Sequence, residues 1–104
     1  MFLFLKSRRN IFSVFMWSVE FLGSADKDLE KLSYPVRRRI IEKIEWLREN
    51  FDLVPPISLR GEFSDFFKFR IGDWRVFYRV NWTKKIIAIC YVEHRSRTYK
   101  KPKS

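Results

Sequence analysis

The chain has 104 residues, with 22 Lys and Arg against 12 Asp and Glu, so its formal net charge is +10 and its pI about 10.1. That length fits one small domain, and a 46% share of hydrophobic residues, with 18% aromatics, excludes global disorder. A folded domain this basic is typical of proteins that bind a polyanion: nucleic acid, the ribosome, an anionic membrane or an acidic protein.

The single cysteine and the single histidine limit the chemistry. Cys90 cannot form an internal disulfide, and its apolar neighbours in the sequence indicate a buried, reduced thiol in a cytoplasmic protein. One histidine and one cysteine do not make a zinc ligand set. We therefore expect neither a metal nor another cofactor.

Residues 1–15, MFLFLKSRRNIFSVF, differ in character from the rest of the chain. Basic residues split the apolar ones into short runs, which excludes a continuous membrane span, and their order is not that of a signal peptide. We interpret the segment as a leader, or as an over-extended reading frame with Met16 as the true start. A membrane-touching or partner-binding helix is the alternative. The predicted domain covers residues 16–104.

The elements are predicted in the order β-α-α-β-β-β. Residues 17–22 alternate apolar and polar side chains as a strand does, and Ser24 is expected to cap a short helix that ends at Leu32. A second helix is predicted to begin at residues 33–35, where a proline is tolerated in the first turn.

The second helix has the clearest helical period of the chain. Its apolar stripe is predicted to pack on a sheet, whereas the charged residues, Arg48 among them, are placed on the solvent side. Residues 54–61 read as an extended link, and the apolar run 85–92 predicts an interior strand. The expected fold is α+β: a small twisted, mostly antiparallel sheet with two helices packed on one face.

The stretch Phe66–Val80, FFKFRIGDWRVFYRV, predicts a β-hairpin, because Gly72-Asp73 is a Gly-X pair of the kind that two-residue turns favour. With that turn, Arg70 lies opposite Arg75, and alternate side chains fall on two faces. One face is apolar and belongs to the core. The other, the outer hairpin face, carries Phe66, Lys68, Arg70, Arg75, Phe77 and Arg79.

The pairing of Arg70 with Arg75 has two interpretations. Like charges opposite one another cost roughly a few tenths of a kcal/mol, which salt and water reduce on a solvated surface. Alternatively, the pair is a phosphate cradle, in which a bound anion relieves the repulsion and the neighbouring aromatics offer stacking surface. The basic segment after the last strand is expected to emerge beside this face. It would add His94, Arg95, Arg97 and Tyr99 to one concavity, which favours the cradle.

Three stretches, together with the order of the elements, resemble the RelE toxins of bacterial and archaeal toxin–antitoxin systems. They are LRG at 59–61, FKFRIGDWRVFYRV at 67–80 and VEHRSRTY at 92–99, and the likeness covers roughly residues 16–100. Members of that family act in the ribosomal A site and cut mRNA without a metal or a covalent enzyme intermediate. The resemblance therefore implies a RelE-like fold, mRNA and ribosomal RNA as partners, an acidic RelB-like antitoxin, cytoplasmic localisation and no membrane partner.

The resemblance also implies roles in an attack of the RNA 2′-OH on the adjacent phosphate. Lys68 is the candidate base, and Arg70 and Arg75 would stabilise the phosphorane. Arg70 stands where the best-known members carry a second lysine, and arginine does not deprotonate, so it cannot act as a base. Tyr99 would stack on or orient the substrate base, or share proton transfer with Lys68.

Two residues are candidates for the general acid. His94 has the more suitable intrinsic pKa, whereas the resemblance favours Arg95. The interval from Arg95 to Tyr99 is shorter than in some relatives. Contacts with the RNA backbone and the ribosome are assigned to Arg60, Arg79, Arg97, Lys100 and Lys101.

Two non-enzymatic functions remain alternatives. A ParE-like relative of the same fold would inhibit DNA gyrase by binding it, and a plain RNA-binding domain would bind without cutting. The gyrase inhibitor does not need the clustered basic residues and tyrosine that the resemblance assigns to catalysis, so their joint presence favours the nuclease. For the RNA-binding domain, Lys68→Ala and Arg75→Ala would lower the affinity for RNA and its salt dependence but remove no activity.

Overall fold

The computed structural model describes residues 16–61 and 65–96. Its elements are β1 (Ser18–Phe21), α1 (Gly23–Glu30), α2 (Tyr34–Glu49), a short 3-10 helix (Phe51–Leu53), β2 (Ile57–Ser58), β3 (Phe67–Ile71), β4 (Trp74–Asn81) and β5 (Ile86–His94). The strands form one sheet in the order β1-β5-β4-β3-β2, in which β1 and β5 are parallel and the other pairs antiparallel. The predicted α+β fold is confirmed, with β2 as an edge strand inside the predicted link. The predicted leader, residues 1–15, lies outside the described residues.

Both helices pack on one face of the sheet. The apolar stripe of α2 is fully buried at Ile40, Ile44 and Leu47, as its period predicts, and α1 contributes Leu29. Full burial of such a side chain stabilises the fold by about 1.5–3 kcal/mol. The partly exposed ring of Trp46 in α2 stacks on Phe69 of β3 with 6.4 Å between ring centroids. The opposite face of the sheet is thereby left uncovered by the helices.

The start of α1 differs from the prediction. The helix begins at Gly23 and its N-cap is Leu22, so Ser24 lies inside the first turn and makes no capping hydrogen bond. Instead the Ser24 hydroxyl donates to the carbonyl of Cys90 in β5, with an O–O distance of 2.6 Å. A tertiary acceptor has replaced the local helix-capping role that serine usually plays.

α1 also completes the edge of β5. β1 ends at Phe21, opposite Ile89. Beyond Ile89, no strand within the described residues pairs with this edge of β5. The N–H of Val92 donates to Oδ2 of Asp28 at 2.9 Å, one helical turn after Ser24. Side chains of α1 therefore bind backbone groups that a longer β1 would have paired, which keeps them hydrogen-bonded.

Arg48 is a second correction. The charge pattern of α2 predicts it on the solvent side, yet it is only 2% exposed. Its Nη2 lies 2.7 Å from Glu45, and its Nη1 donates to the carbonyl of Trp17 at 3.3 Å. Residue 48 lies eight positions after Ile40, so the same helical period that defines the apolar stripe brings it to the core side.

Candidate functional site

The hairpin register is the predicted one. β3 and β4 pair with Arg70 opposite Arg75 and Lys68 opposite Phe77, across a turn at Gly72 and the following aspartate. Gly72 has φ +57°, and a Cβ there would lie 3.2 Å from a side-chain nitrogen of α2. L side chains rarely adopt that conformation, so the turn requires glycine at this position.

β5 adds two side chains to the outer hairpin face that sequence reasoning missed. Tyr91 lies opposite Phe77, and Glu93 lies opposite Arg75. Because side chains alternate across strands, these residues share the face directed away from the helices. We call the combined surface the outer sheet face; its members are Phe66, Lys68, Arg70, Arg75, Phe77, Arg79, Tyr91 and Glu93.

β5 contains a β-bulge. Phe77 is opposite Tyr91 but Tyr78 is opposite Ile89, so Cys90 is the extra residue. An extra residue reverses the alternation along a strand. The run ICYVEH therefore exposes Tyr91 while burying both Ile89 and Cys90. The sequence offered one signal for this arrangement: Tyr91 and Glu93 are two residues apart and therefore share a face. That signal is weak, because Tyr91 belongs to an otherwise apolar run.

Arg75 does not have the exposure that its predicted place implied. The side chain is 5% exposed, and its Nη1 donates to the carbonyls of Gly72 and Trp74, each at 3.1 Å. The alternative interpretation, a solvated surface pair, does not hold for Arg75, because its guanidinium is held against the backbone of the turn. Arg70, by contrast, is exposed, and Lys68 is half-buried.

Glu93 changes the electrostatics around the Arg70–Arg75 pair. It lies on β5 opposite Arg75 of β4, so Arg75 has a guanidinium opposite it on β3 and a carboxylate opposite it on β5. Opposite charges in cross-strand positions stabilise a sheet, and this pairing offsets part of the repulsion that Arg70 and Arg75 exert on each other. Arg70, Arg75 and Glu93 thus form a row of two cations and one anion across the three strands.

The aromatic members of the outer sheet face lie next to that row. The rings of Phe66 and Tyr91 have centroids 6.2 Å apart and are tilted by 47°. The guanidinium carbon of Arg79 lies 5.1 Å from the centre of the Phe66 ring, and Arg79 also pairs with Asp65 at 3.7 Å. This part of the surface combines stacking area with positive charge.

His94 is not on the outer sheet face. Its register partner is Trp74, so it points to the helix-facing side, where the two rings meet edge to face at 5.1 Å. The N–H of Ser96 donates to Nδ1 of His94 at 3.2 Å. The expectation that His94 joins Lys68 and Arg70 in one concavity is wrong for this arrangement, because alternation along β5 directs it to the other face.

Arg95, the first residue after β5, lies beside the hairpin turn. Its N–H donates to the carbonyl of Asp73 at 2.7 Å, and its Nη1 lies 3.8 Å from the Asp73 carboxylate. The Arg95 side chain is 49% exposed. Arg60 is exposed in the link between β2 and β3. The remaining predicted site residues lie outside the described residues: Arg97, Tyr99, Lys100 and Lys101.

Cys90 is buried at 3% exposure, as its apolar neighbours predict, and this burial raises the pKa of its thiol. A thiol in that state is a poor nucleophile. Over residues 16–61 and 65–96, no three His, Cys, Asp or Glu side chains are grouped so that they could hold a metal ion. No helix in those same ranges has the length and apolar character needed to cross a membrane.

Comparisons with known proteins agree with this fold. A family model described as the ParE toxin of type II toxin–antitoxin systems matches residues 19–99. The chain is similar in structure to the toxin–antitoxin complex RelBE2 from Mycobacterium tuberculosis, with a TM-score of 0.71 and 27% identity over 81% of this chain and 97% of that chain. It is also similar to the archaeal RelE–RelB complex from Pyrococcus horikoshii OT3, with a TM-score of 0.61 and 28% identity over 79% and 98% of the two chains.

The isolated RelE toxin of E. coli shares the fold, with a TM-score of 0.62 and 24% identity over 75% of this chain and 83% of that one. A search of curated proteins finds no match. The fold and the family match together define the class of protein: a toxin of a type II toxin–antitoxin system. The chain belongs to the ParE toxin family of the RelE/ParE superfamily, and it is a RelE-like toxin in structure.

Proposed function

We propose that this toxin is a ribosome-dependent mRNA endoribonuclease that inhibits translation. The observation that carries the proposal is the grouping of Lys68, Arg70 and Arg75 on the outer sheet face, with Arg95 beside the same hairpin turn. Phosphate binding is the common chemistry of such a group, because guanidinium and ammonium donors match phosphate oxygens in charge and geometry. The similarity to solved RelE structures supports the same choice.

The proposed reaction is attack of the RNA 2′-oxygen on the adjacent phosphorus. The 2′-hydroxyl loses its proton to Lys68 acting as base, and the O5′–P bond breaks to leave a cyclic phosphate and a 5′-hydroxyl. Arg70 stabilises the charge that develops on the phosphorane oxygens, which is a large term when the donor is positioned beforehand. The nucleophile belongs to the RNA, and in this proposal the cationic side chains supply the charge stabilisation that a metal ion would otherwise give.

Arg75 has a different part in this proposal from the one expected of an exposed arginine. Its hydrogen bonds to Gly72 and Trp74 hold the turn, and its charge acts on the phosphate together with that of Arg70 opposite it. Arg95 supplies further charge beside the turn. For protonation of the leaving oxygen, Arg95 is the candidate that lies beside the turn, since His94 is directed to the helix-facing side of the sheet. Tyr99 is proposed to orient the nucleobase of the substrate.

The proposed partners follow from this reaction and from the relatives. The substrate is mRNA in the ribosomal A site, with ribosomal RNA as the other contact, so the site of action is the cytoplasm. The solved relatives from M. tuberculosis and P. horikoshii are complexes of a toxin with its antitoxin. We therefore propose an acidic, RelB-like antitoxin as the inhibitor of this chain.

Induction of the chain in cells, followed by primer extension on an abundant translated mRNA, tests the proposal. We expect in-frame cuts that require translation, and at least a tenfold loss of cutting in Arg70→Ala, since a lost charge-stabilising donor costs about that much or more. Arg38→Ala is the matched control, because Arg38 is an exposed arginine on α2. Growth arrest without mRNA cuts would refute the nuclease.

Inhibition of DNA gyrase is the second candidate, and the description of the matched family as ParE toxin is the observation that favours it. A purified toxin that blocks gyrase supercoiling, and leaves mRNA uncut on programmed ribosomes, would establish this function in place of the first. The two assays together separate the candidates, since each measures a different target.

A further inference from the structure

The outer sheet face carries an aromatic cluster that the proposed chemistry does not use. Phe66 and Tyr91 are in ring contact, and Phe77 lies opposite Tyr91 across the strands. Tyr91 is 44% exposed although it belongs to an interior strand. The helices lie on the other side of the sheet, so they do not explain the cluster as core packing.

The cluster is in register with the phosphate cradle. Arg70, Arg75 and Glu93 form one row across three strands, and Lys68, Phe77 and Tyr91 form the next row on the same face. The two rows are separated by two residues along the strands, or about 6.8 Å. Phe66 and Arg79 lie two residues beyond Lys68 and Phe77, so they form a third row at about the same spacing. A chain laid along the strands would therefore meet the exposed Arg70 guanidinium first and the aromatic rings next.

Arg79 reinforces the aromatic part of this strip. Its guanidinium lies over the Phe66 ring, where it adds positive charge to a stacking surface. Its ion pair with Asp65 is exposed on both sides, at 55% and 78%, so water and salt screen it and the guanidinium keeps its attraction for a polyanion.

We propose that Phe66, Tyr91 and Arg79 form a base-stacking subsite for single-stranded RNA, which holds the nucleotides next to the phosphate bound at Arg70. This inference rests on the proposed nuclease function and adds to it a means of holding unpaired substrate. Bases in a duplex have no free faces to stack, whereas unpaired bases bind aromatic and guanidinium surfaces irrespective of sequence. The net charge of +10 provides the complementary attraction for the RNA backbone.

Equilibrium binding of the full-length purified chain to a fluorescein-labelled oligouridylate of about eight nucleotides tests the subsite. The probe carries 2′-O-methyl groups, so it binds without being cut. Tyr91→Ala and Phe66→Ala should each weaken binding by about 5- to 50-fold, with no change in the salt dependence, since a lost stack removes no phosphate contact. Tyr91→Phe should bind as tightly as the unsubstituted chain, because it keeps the ring.

Two matched controls identify the cause of any loss. Lys68→Ala should weaken binding and lower the slope of log affinity against log salt by about 0.7, as expected for one phosphate contact with a single strand. Trp46→Ala, at an exposed ring on the helix side of the molecule, should leave binding unchanged. Circular dichroism and thermal unfolding of each variant would show whether it is folded.

A second measurement uses the unsubstituted chain and does not depend on how the variants fold. Oligonucleotides with 5-iodouridine form photo-crosslinks to stacked aromatic residues, and mass spectrometry locates them. Crosslinks at Tyr91 or Phe66 would support the subsite, and crosslinks found solely elsewhere would overturn it. Equal affinity of the chain for a duplex of the same length would also overturn it, as would unchanged binding by both alanine variants.

The outcomes also separate this inference from the proposed function. If the chain binds the probe through Phe66 and Tyr91 but makes no mRNA cuts in cells, the subsite stands and the nuclease falls. If the chain cuts mRNA while Phe66→Ala and Tyr91→Ala bind and cut at the original level, the nuclease stands and the subsite falls.

Discussion

At the scale of single residues, Arg70 and Arg75 face each other but have different surroundings. Arg75→Ala removes two hydrogen bonds from a charged group to turn carbonyls and should lower the free energy of unfolding by about 2 kcal/mol. Arg70→Ala, at an exposed position, should leave it nearly unchanged. Urea unfolding of both variants measures the difference. Equal stability of the two would show that Arg75 does not hold the turn, and activity lost in Arg75→Ala must be read against its stability.

Ionisation of Tyr78 should lower the stability of the fold at alkaline pH. Its ring is 1% exposed, and burial raises its pKa to about 12 from 10.0. The unfolded chain therefore loses this proton first as the pH rises, so stability should be complete below pH 10 and fall between pH 10 and about 12, by on the order of 2–3 kcal/mol in total. Tyr78→Phe, which cannot ionise, should show a shallower decline in urea unfolding over that pH range. Parallel curves for the two proteins would contradict the assignment.

At the scale of elements, Arg48 joins α2 to the chain just before β1. It is buried, paired with Glu45, and hydrogen-bonded to the carbonyl of Trp17. Arg48→Ala leaves a half-buried carboxylate and a backbone carbonyl without this donor, and should cost about 3–5 kcal/mol. Arg38→Ala breaks an exposed pair with Glu42 on the same helix and should change little. Thermal unfolding of both variants tests the contrast, and a small effect of Arg48→Ala would refute the anchoring role.

The contact between α1 and β5 is a second prediction at this scale. Asp28→Ala removes the acceptor of the Val92 N–H and should lower stability by about 1–2 kcal/mol. Asp28→Asn keeps a side-chain oxygen and should lose less. Hydrogen exchange of the Val92 amide is the direct measurement: exchange should be faster in the alanine variant. An unchanged exchange rate would mean that α1 does not complete the edge of β5.

At the scale of the whole molecule, the net charge of +10 should control encounters with an acidic antitoxin. Raising the salt concentration from about 50 mM to about 500 mM should reduce the association rate constant by on the order of tenfold, because screening shortens the range of attraction. The dissociation rate constant should change less, since short-range contacts govern it. Surface plasmon resonance with the cognate antitoxin measures both constants. An association rate independent of salt would show that charge does not steer this encounter.

Local patterns in the sequence were sufficient for several features of this protein. Gly72 determined the turn, the turn determined that Arg70 faces Arg75, and the helical period of α2 determined which of its apolar residues are buried. These are properties of neighbouring residues, with periods of 2 and 3.6 that the chain displays directly. The family resemblance also drew on the hairpin stretch at 67–80.

Other features depend on contacts between distant parts of the chain, and only the tertiary structure decided them. The bulge at Cys90 reversed the alternation in β5 and put Tyr91 on the outer sheet face, while His94 was directed to the helix side. The burial of Arg75 and of Arg48 required backbone carbonyls that only the folded turn and the start of β1 supply. The alternation along a strand shows which residues share a face, but only as far as the next β-bulge, and the position of a bulge is set by tertiary packing. Packing likewise sets the hydrogen-bond partners of a buried charge.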